Sequence, residues 1–237
     1  MNEGTLLVVG ASGDVGWGVV QVALQSGRRV VAAGRDSAKL AGLHDHGRPD
    51  RLATVAGDIA SERGAAQLWE AASQAFGSIT DVVVSVNMPA RVRRLAEWSS
   101  DELGGLLAGN LLTHFVAART FLPRLPETGV LIGIGGGTAD FIFPGMAPVS
   151  ISQAALRMLY RGLAKERESG AQLRELMIVS MVAGRSNRSN AQPDWITDLE
   201  VGRHVCAILD QPDRFPKPIL HLLSREQVGH PEPATTN

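Results

Sequence analysis

The sequence has few of the residues that carry most redox, metal and acid–base chemistry in proteins. Its 237 residues include one cysteine, one tyrosine and three lysines. Cys206 therefore has no partner for a disulfide or a cysteine-based metal site, and its place in a helical pattern indicates a small core residue. Any catalysis by a phenol would have to depend on Tyr160.

Charge and hydropathy exclude further classes of protein. The formal net charge is -1, the sequence pI is about 6.6, and no basic run is present, which argues against nucleic acid as a partner. No apolar stretch reaches the roughly 20 residues that cross a membrane. The N-terminus enters a strand without a charged leader or a cleavage site. We therefore expect a cytoplasmic protein.

Strand-like runs alternate with helix-like runs along the whole chain. Such alternation predicts a doubly wound parallel sheet, and the length suits one domain. We expect a Rossmann-type α/β fold of about seven strands with helices on both faces, over residues 1–223, followed by a polar, frayed tail at 224–237. The predicted strands lie at about Leu6, Val30, Ala53, Val83, Leu131, Ile178 and Ile219.

Apolar residues at helical spacing, bounded by capping residues, predict five helices. They span 15–24, 61–76 with Ser61 as cap, 100–122 capped by Ser99 or Ser100 and stopped by Pro123, 149–168 closed by Gly170, and 195–209 capped by Asp194.

A glycine-rich loop directly follows the first apolar strand. Gly10 permits a tight turn, Gly13 lets the backbone approach a pyrophosphate, and Gly16 lets the next helix pack with its amide-bearing end toward the phosphates. The pattern predicts a dinucleotide-binding loop, although glycines at this spacing also occur in plain strand–turn–helix connections. The residues expected to contact the cofactor here are Gly10, Ser12, Gly13, Asp14, Val15 and Gly16.

The end of the second strand bears on the type of cofactor. An acidic residue there would bind a ribose 2′-hydroxyl, but the sequence has Gly34 followed by Arg35, whose guanidinium suits a 2′-phosphate. This favours NADP(H) over NAD(H). The alternative interpretation is a solvated surface arginine paired with Asp36.

From about residue 6 to residue 223, the order of landmarks resembles the short-chain dehydrogenase/reductase family. The loop glycines follow the spacing of its extended branch, whereas length and later landmarks resemble its shorter branch. The segments that carry the resemblance are Gly57-Asp58-Ile59, the strand 81–88 that ends near Asn87, the helix segment 107–111 with Asn110, residues 121–125, and Val182-Ala183-Gly184.

The resemblance implies roles for several of these residues. Asp58 and Ile59 would contact the adenine, Asn87 would line the cofactor site, and Val182 and Gly184 would lie beside the nicotinamide carboxamide. It also implies a homodimer or homotetramer through the helices 100–122 and 149–168, with a small-molecule substrate. The loop 185–194 takes the place of the family's substrate lid, and its shortness predicts an open, wet pocket.

The resemblance fails at the family's catalytic residues, a serine after the fifth strand and a Tyr-x-x-x-Lys about thirteen residues later. Residues 150–156 resemble the family's Ser-Ala-Ser-Lys-Ala-Ala-Leu, and this alignment puts Gly136 at the serine, Val149 at the tyrosine and Gln153 at the lysine. Of the family's four catalytic residues only Asn110 matches. Loss of a positioned acid alone removes roughly a hundred- to ten-thousand-fold in rate.

No other tyrosine and lysine restore this set. Tyr160 and Lys165 are five residues apart, which is not the one-turn spacing at which an ammonium lowers a phenol pKa. Tyr160 lies among leucines at helical spacing, which favours a packed helix residue.

Few substitutes for the missing groups are available. The candidate catalytic residues are Asn110, Thr138, Ser150 and Gln153, each of which also suits a helix cap, a turn or another structural role. His114 has an acid's chemistry, but we favour a helix residue at a subunit contact. His44, Asp45 and His46 lack a third partner, so we expect no metal site.

Two functions fit these residues. The first is an NADP(H)-dependent oxidoreductase with a weakened or non-standard mechanism, acting on an iminium ion, which takes a hydride without a proton, or on a conjugated carbonyl. The second is a catalytically inactive dinucleotide-binding sensor or partner subunit.

Overall fold

The structure is a computed structural model that describes residues 4–44, 49–167 and 170–232. Its central sheet contains the seven strands β1 (Thr5–Val9), β2 (Arg29–Gly34), β3 (Leu52–Ala56), β4 (Ile79–Val84), β5 (Val130–Gly136), β6 (Gln172–Ile178) and β9 (Ile219–Leu222). All neighbours are parallel, in the order β3-β2-β1-β4-β5-β6-β9. The predicted Rossmann-type sheet is confirmed, with each strand at its expected position.

Helices cover both faces of the sheet. Helices α1 (Asp14–Gln25) and α7 (Asp198–Asp210) pack on one face, and α3 (Glu62–Phe76), α5 (Thr113–Phe121) and α6 (Ala147–Glu166) pack on the other. Two shorter helices are α2 (Ser37–Ala41) and α4 (Ser100–Leu107). Because both faces are covered, the strands are mostly apolar, and all five residues of β1 are buried.

Helices α1 and α7 touch through their backbones. A Cβ atom on Gly18 would lie 2.1 Å from the carbonyl oxygen of Asp198, and one on Gly202 would lie 2.4 Å from the carbonyl oxygen of Gly18. Only glycine at both positions allows this approach, so α7 fixes where α1 sits.

Three predicted helix boundaries need correction. The segment 100–122 is divided into α4 and α5 by a π-helical turn over 108–112. The helix expected from residue 195 begins at Asp198, because Ile196 and Thr197 form the short strand β8, which pairs with β7 (Val182–Ala183). Thr197, and not Asp194, caps α7 in a capping box with Glu200.

The other helix predictions agree with the structure within two residues. Ser61 caps α3 and Ser99 caps α4, as expected. Helix α6 begins at Ala147, two residues earlier than expected, with Pro148 in its first turn, where no intrahelical N–H is needed. The short α2, capped by Asp36, was not predicted. Residues 168 and 169 lie outside the described part of the chain.

A buried ionic cluster joins β4 to the neighbouring elements. Arg28, only 3% exposed, lies 3.2 Å from the Asp81 carboxylate and also binds Asp210 at the end of α7. The second oxygen of Asp81 accepts the Val130 N–H at 3.1 Å. Burial raises the pKa of Asp81 from its usual value although Arg28 opposes the shift. The cluster is satisfied only while all members are present.

The tail is held to the sheet up to residue 232. Glu232 accepts the His221 N–H at 2.7 Å and lies 3.1 Å from Lys217 Nζ, so the expectation of a frayed tail is wrong for this part. Cys206 is buried in the core, as predicted. Within the described residues, no helix combines the length and apolar character needed to span a bilayer.

Candidate cofactor and active site

The site lies at the carboxyl edge of the sheet. Strand β1 pairs with β2 on one side and β4 on the other, so the crossovers run in opposite directions from β1. In sheets of this kind the ligand crevice lies outside the strand ends at that point.

The glycine-rich loop has the geometry of a phosphate cradle. Gly10 has φ +82°, and a Cβ there would lie 2.1 Å from the Ser85 carbonyl oxygen. A Cβ on Gly16 would lie 2.2 Å from the Gly10 carbonyl oxygen, so both glycines are required for packing. Gly13 is exposed and borders the first turn of α1, whose N–H groups have no intrahelical acceptor. These residues fit the diphosphate of a dinucleotide.

The ends of β2 and β3 form the expected adenosine side. Gly34 has room beside it, since a Cβ would meet Ser12 Oγ only at 3.7 Å. Arg35 is exposed next to it. Asp36 caps α2 and lies 3.9 Å from Lys39 Nζ, and the ion pairs among described residues do not join it to Arg35. Ser12 and Arg35 thus both lie next to Gly34, where the resemblance leads us to expect the adenosine ribose.

Asp58 and Ile59 follow β3, the neighbour of β2. Asp58 is exposed, and its Oδ1 accepts the Ala60 N–H at 3.0 Å, which orients the turn. Ile59 is buried against the core. Asn87 is exposed after β4. The structure therefore brings the cofactor residues proposed from the sequence to one edge of the sheet.

Gln153 occupies the space behind the end of β5. Its Oε1 accepts the Gly136 N–H at 2.7 Å. A Cβ on Gly136 would lie 3.7 Å from the Gln153 amide carbon and 3.8 Å from Thr138 Oγ1, which is ordinary contact. Val149 lies one turn before Gln153 on α6 and is half-buried. The three positions that the resemblance gives to serine, tyrosine and lysine are thus adjacent in space.

The remaining candidate hydroxyl and amide groups hold segments together. Ser150 donates to the Phe141 carbonyl at 2.9 Å, and Ser152 donates to the Val149 carbonyl at 2.8 Å. Asn110, in the π-helical turn, accepts the Met88 N–H and donates to Ser152 Oγ at 3.3 Å. The Ser150 hydroxyl and the Asn110 amide group already donate to oxygens of the protein itself. These contacts support a structural role for both residues.

His114 and Tyr160 form a buried pair behind the site. Both are 0% exposed, and His114 Nδ1 lies 3.1 Å from the Tyr160 hydroxyl while Nε2 lies 3.1 Å from the Val86 carbonyl oxygen. A carbonyl only accepts, so Nε2 carries the proton and the phenol donates to Nδ1. Burial lowers the pKa of His114 to about 4 and raises that of Tyr160 well above its usual value. Tyr160 is packed, as predicted, but the expectation of a subunit contact for His114 is wrong because it is interior.

Glu175 on β6 is a buried acid that the sequence analysis missed. It is 0% exposed, and among described residues neither carboxyl oxygen has a hydrogen-bond partner. Its Oε1 lies 2.2 Å from where a Cβ of Gly135 would be. Burial raises the pKa of Glu175 to about 8, with Arg157 opposing the shift and Asp140 adding to it. The available signal was an acidic residue inside a predicted strand, directly beside Arg174.

The segment after β7 folds onto the glycine-rich loop. Asp14 accepts the Ser186 N–H at 3.0 Å and the Ser186 hydroxyl, and Arg185 Nη2 donates to the Ser12 carbonyl at 3.2 Å. A Cβ on Gly184 would lie 2.2 Å from the Asp14 carboxyl carbon, so glycine is needed there. The loop 185–194 is therefore fastened to the glycine-rich loop at this end, and the open pocket expected from its shortness stays a prediction.

His44 Nε2 lies 3.0 Å from Thr54 Oγ1. Asp45 and His46, named with it as ligand-type residues, lie outside the described residues. Within the ranges that the structure covers, no three potential metal ligands come together.

Comparisons with known proteins identify the class. The sequence profile of short chain dehydrogenases matches residues 4–181. The 2,3-dihydroxy-2,3-dihydro-p-cumate dehydrogenase of Pseudomonas putida is 30% identical over 170 residues, which cover 69% of this chain and 65% of that enzyme. The chain thus matches just under two thirds of that enzyme's length.

Two solved structures share the fold. An alcohol dehydrogenase from Thermococcus sibiricus, complexed with 5-hydroxy-NADP, has a TM-score of 0.80 at 18% identity and covers 94% of this chain and 97% of its own. A short chain dehydrogenase/reductase from Burkholderia phymatum, in complex with NAD, has a TM-score of 0.76 at 17% identity and covers 88% and 86%. This chain belongs to the short-chain dehydrogenase/reductase family of NAD(P)-binding oxidoreductases.

Proposed function

We propose that the protein binds NADP(H) and catalyses hydride transfer with a substrate that needs no proton from a protein side chain. An iminium ion is one such substrate, and a conjugated carbonyl whose enolate accepts hydrogen bonds is another. The nicotinamide supplies or accepts the hydride when bound. The observation that carries the proposal is the Gln153–Gly136 hydrogen bond. It places a side-chain amide and a backbone N–H where the resemblance puts the family's lysine and serine. Neither group is an acid that could give a proton to a substrate oxygen.

The cofactor preference rests on charge. Arg35 is exposed beside Gly34, and the neighbouring Asp36 carboxylate is engaged in capping α2. A guanidinium binds a 2′-phosphate through charge-assisted hydrogen bonds, whereas it offers less to a 2′-hydroxyl.

The walls of the substrate region favour an apolar molecule. Exposed apolar side chains follow the ends of three adjacent strands: Met88 after β4, Phe141, Ile142 and Phe143 after β5, and Met181 after β6. The Phe141 and Phe143 rings contact edge to face, with centroids 5.2 Å apart. We infer a substrate with aromatic or aliphatic groups around the reacting atom.

Two measurements test the proposal. Calorimetric titration should give tighter binding of NADPH than of NADH, and Arg35→Ala should weaken NADPH by about ten- to a hundredfold while leaving NADH nearly unchanged. Arg214→Ala, at an exposed position before β9 and away from the carboxyl edge of the sheet, is the matched charge control.

The second measurement follows loss of nicotinamide absorbance. With NADPH, an apolar cyclic iminium should be reduced well above background, and a simple ketone of the same shape should be reduced at least about a hundredfold more slowly. Equal rates for the two, or faster reduction of the ketone, would contradict the mechanism. Tight cofactor binding without turnover of any iminium or enone would favour the inactive sensor instead.

We also propose self-association through α4, α5 and α6. Ile151 and Met158 lie two turns apart on one face of α6 and are 40% and 60% exposed, and Leu112 before α5 is 52% exposed. Burial of this stripe against a second copy would remove apolar surface from water. Met158→Glu should shift the protein toward monomer in sedimentation equilibrium.

A further inference from the structure

Arg185 and Asp14 carry opposite charges beside the glycine-rich loop, but they do not bind each other. The Arg185 guanidinium lies over the Trp17 ring, 4.9 Å from its centroid, and donates to the Ser12 carbonyl. The Asp14 carboxylate accepts two hydrogen bonds from Ser186. In the part of the chain that the structure describes, neither Arg185 nor Asp14 takes part in an ion pair.

The segment that carries Arg185 is held in place from both sides. Asn187 accepts the Gly184 N–H at 2.8 Å and donates to the Val182 carbonyl at 3.0 Å, which closes the turn. Arg188 lies 3.2 Å from the buried Asp198 carboxylate at the start of α7. Arg185 is therefore presented from a fixed turn and not from a free loop.

A guanidinium has five N–H donors, and Arg185 uses one of them on the Ser12 carbonyl. Its two contacts, Ser12 and Trp17, stand on either side of exposed Gly13 and the first residues of α1 in the chain. First-turn N–H groups and the helix dipole favour an anion there. Asp14 sits at that N-terminus and adds a negative charge that a diphosphate would have to approach. The two side chains thus act on the same ligand group with opposite signs.

We propose that Arg185 is a ligand of the cofactor's diphosphate and that the Asp14 carboxylate weakens this binding, so that the balance of the two sets cofactor affinity and release. The inference rests on the proposed binding of a nicotinamide dinucleotide. It adds a cationic contact from the 184–188 segment that the glycine-rich loop alone does not supply.

The alternative is a purely mechanical role, in which Arg185 only fastens the segment to Trp17 and Ser12. The two roles differ in their dependence on the ligand's phosphates and on salt. A fastening residue affects all ligands of the site alike, whereas a diphosphate ligand affects only those that carry the diphosphate, and its contribution falls as salt screens it.

The test is titration of NADPH and of adenosine 2′-monophosphate, which lacks the diphosphate, at several salt concentrations. Arg185→Ala should weaken NADPH by about ten- to a hundredfold at low salt and leave adenosine 2′-monophosphate within about twofold. Arg185→Lys, which keeps the charge but not the planar stack on Trp17, should fall between. Arg214→Ala is the charge control and should match the unaltered protein.

Asp14→Asn is the decisive second variant because its expected effect is a gain. The amide keeps an oxygen for Ser186 and removes the charge, so NADPH should bind about three- to tenfold more tightly at low salt. A misfolded variant cannot bind more tightly. Unchanged or weaker binding by Asp14→Asn, or equal loss of both ligands in Arg185→Ala, would overturn the inference, whereas no binding of NADPH or NADH to the unaltered protein would overturn the proposed function itself.

Discussion

Glu175 should make the protein less stable as the pH rises through neutrality. Its pKa is raised from 4.5 to about 8 in the folded chain, so the folded state binds more protons than the unfolded state between these values. Its contribution to stability is present in full below the unfolded pKa and is lost as the pH rises through the folded one. A shift of this size corresponds to about 5 kcal/mol over the whole window.

The perturbation is Glu175→Gln, which cannot ionise, together with Glu175→Met, which also removes the unpartnered polar atoms. Between about pH 5.5 and 7.5, the free energy of unfolding of both variants should fall by about 2 to 3 kcal/mol less than that of the unaltered protein. The absolute stability of the Gln variant is less informative, because its amide brings two new N–H donors into a buried site. The difference in slope is the readout.

Urea unfolding at several pH values measures this slope. His114 and His204, whose pKa values burial lowers to about 4, have the opposite pH dependence, but they are present in every variant and cancel in the difference. Glu127→Gln, at an exposed position, is the control for loss of charge. Parallel pH profiles for the unaltered protein and both Glu175 variants would refute the reasoning.

Three further predictions concern the catalytic positions, the buried Tyr160 and the ionic cluster around Arg28. Combining Gly136→Ser, Val149→Tyr and Gln153→Lys should raise the rate of ketone reduction by about a hundred- to ten-thousandfold, measured by NADPH consumption. A serine fits at position 136 because its Cβ would make no close contact. No gain in rate would contradict the assignment of these three positions. Tyr160→Phe should lower the free energy of unfolding by about 1 to 2 kcal/mol and leave NADPH affinity within about twofold, and a large loss of affinity would contradict its packed role. Arg28→Ala should lower the free energy of unfolding by about 3 to 5 kcal/mol in urea titrations because its aspartate partner stays buried, and a change below about 1 kcal/mol would show that the ionic cluster is not needed.

The sheet and most helix starts could be predicted because their signals are local. Seven apolar runs placed seven strands, and Ser61 and Ser99 marked helix starts through the hydrogen bonds that their own side chains make. The leucines around Tyr160 placed that residue in the core, where the structure has it.

The errors arose where distant segments meet. The start of α7 depends on pairing between 182–183 and 196–197, and the π-helical turn holds Asn110, which binds the backbone after β4. The interior place of His114 depends on a partner 46 residues away. No periodicity within one helix contains such information.

The same limit applies to the candidate site. The glycine spacing predicts the loop at which a diphosphate would bind, but Arg185 and Ser186 reach that loop from 172 or more residues along the chain. Glu175 was overlooked because it follows Gln172 and Arg174 in the polar first half of β6, where its sequence neighbours do not mark it as buried.

The backbone contact between Gly18 and Gly202 makes the position of the glycine-rich loop depend on a distant part of the chain. The helix that begins at the phosphate cradle derives its position from a helix that lies beyond residue 181, where the match to the family profile ends. A methyl group at either glycine would force α1 and α7 apart and shift the glycine-rich loop. The C-terminal quarter of the chain therefore positions this loop, although none of the loop's glycines lies in that quarter.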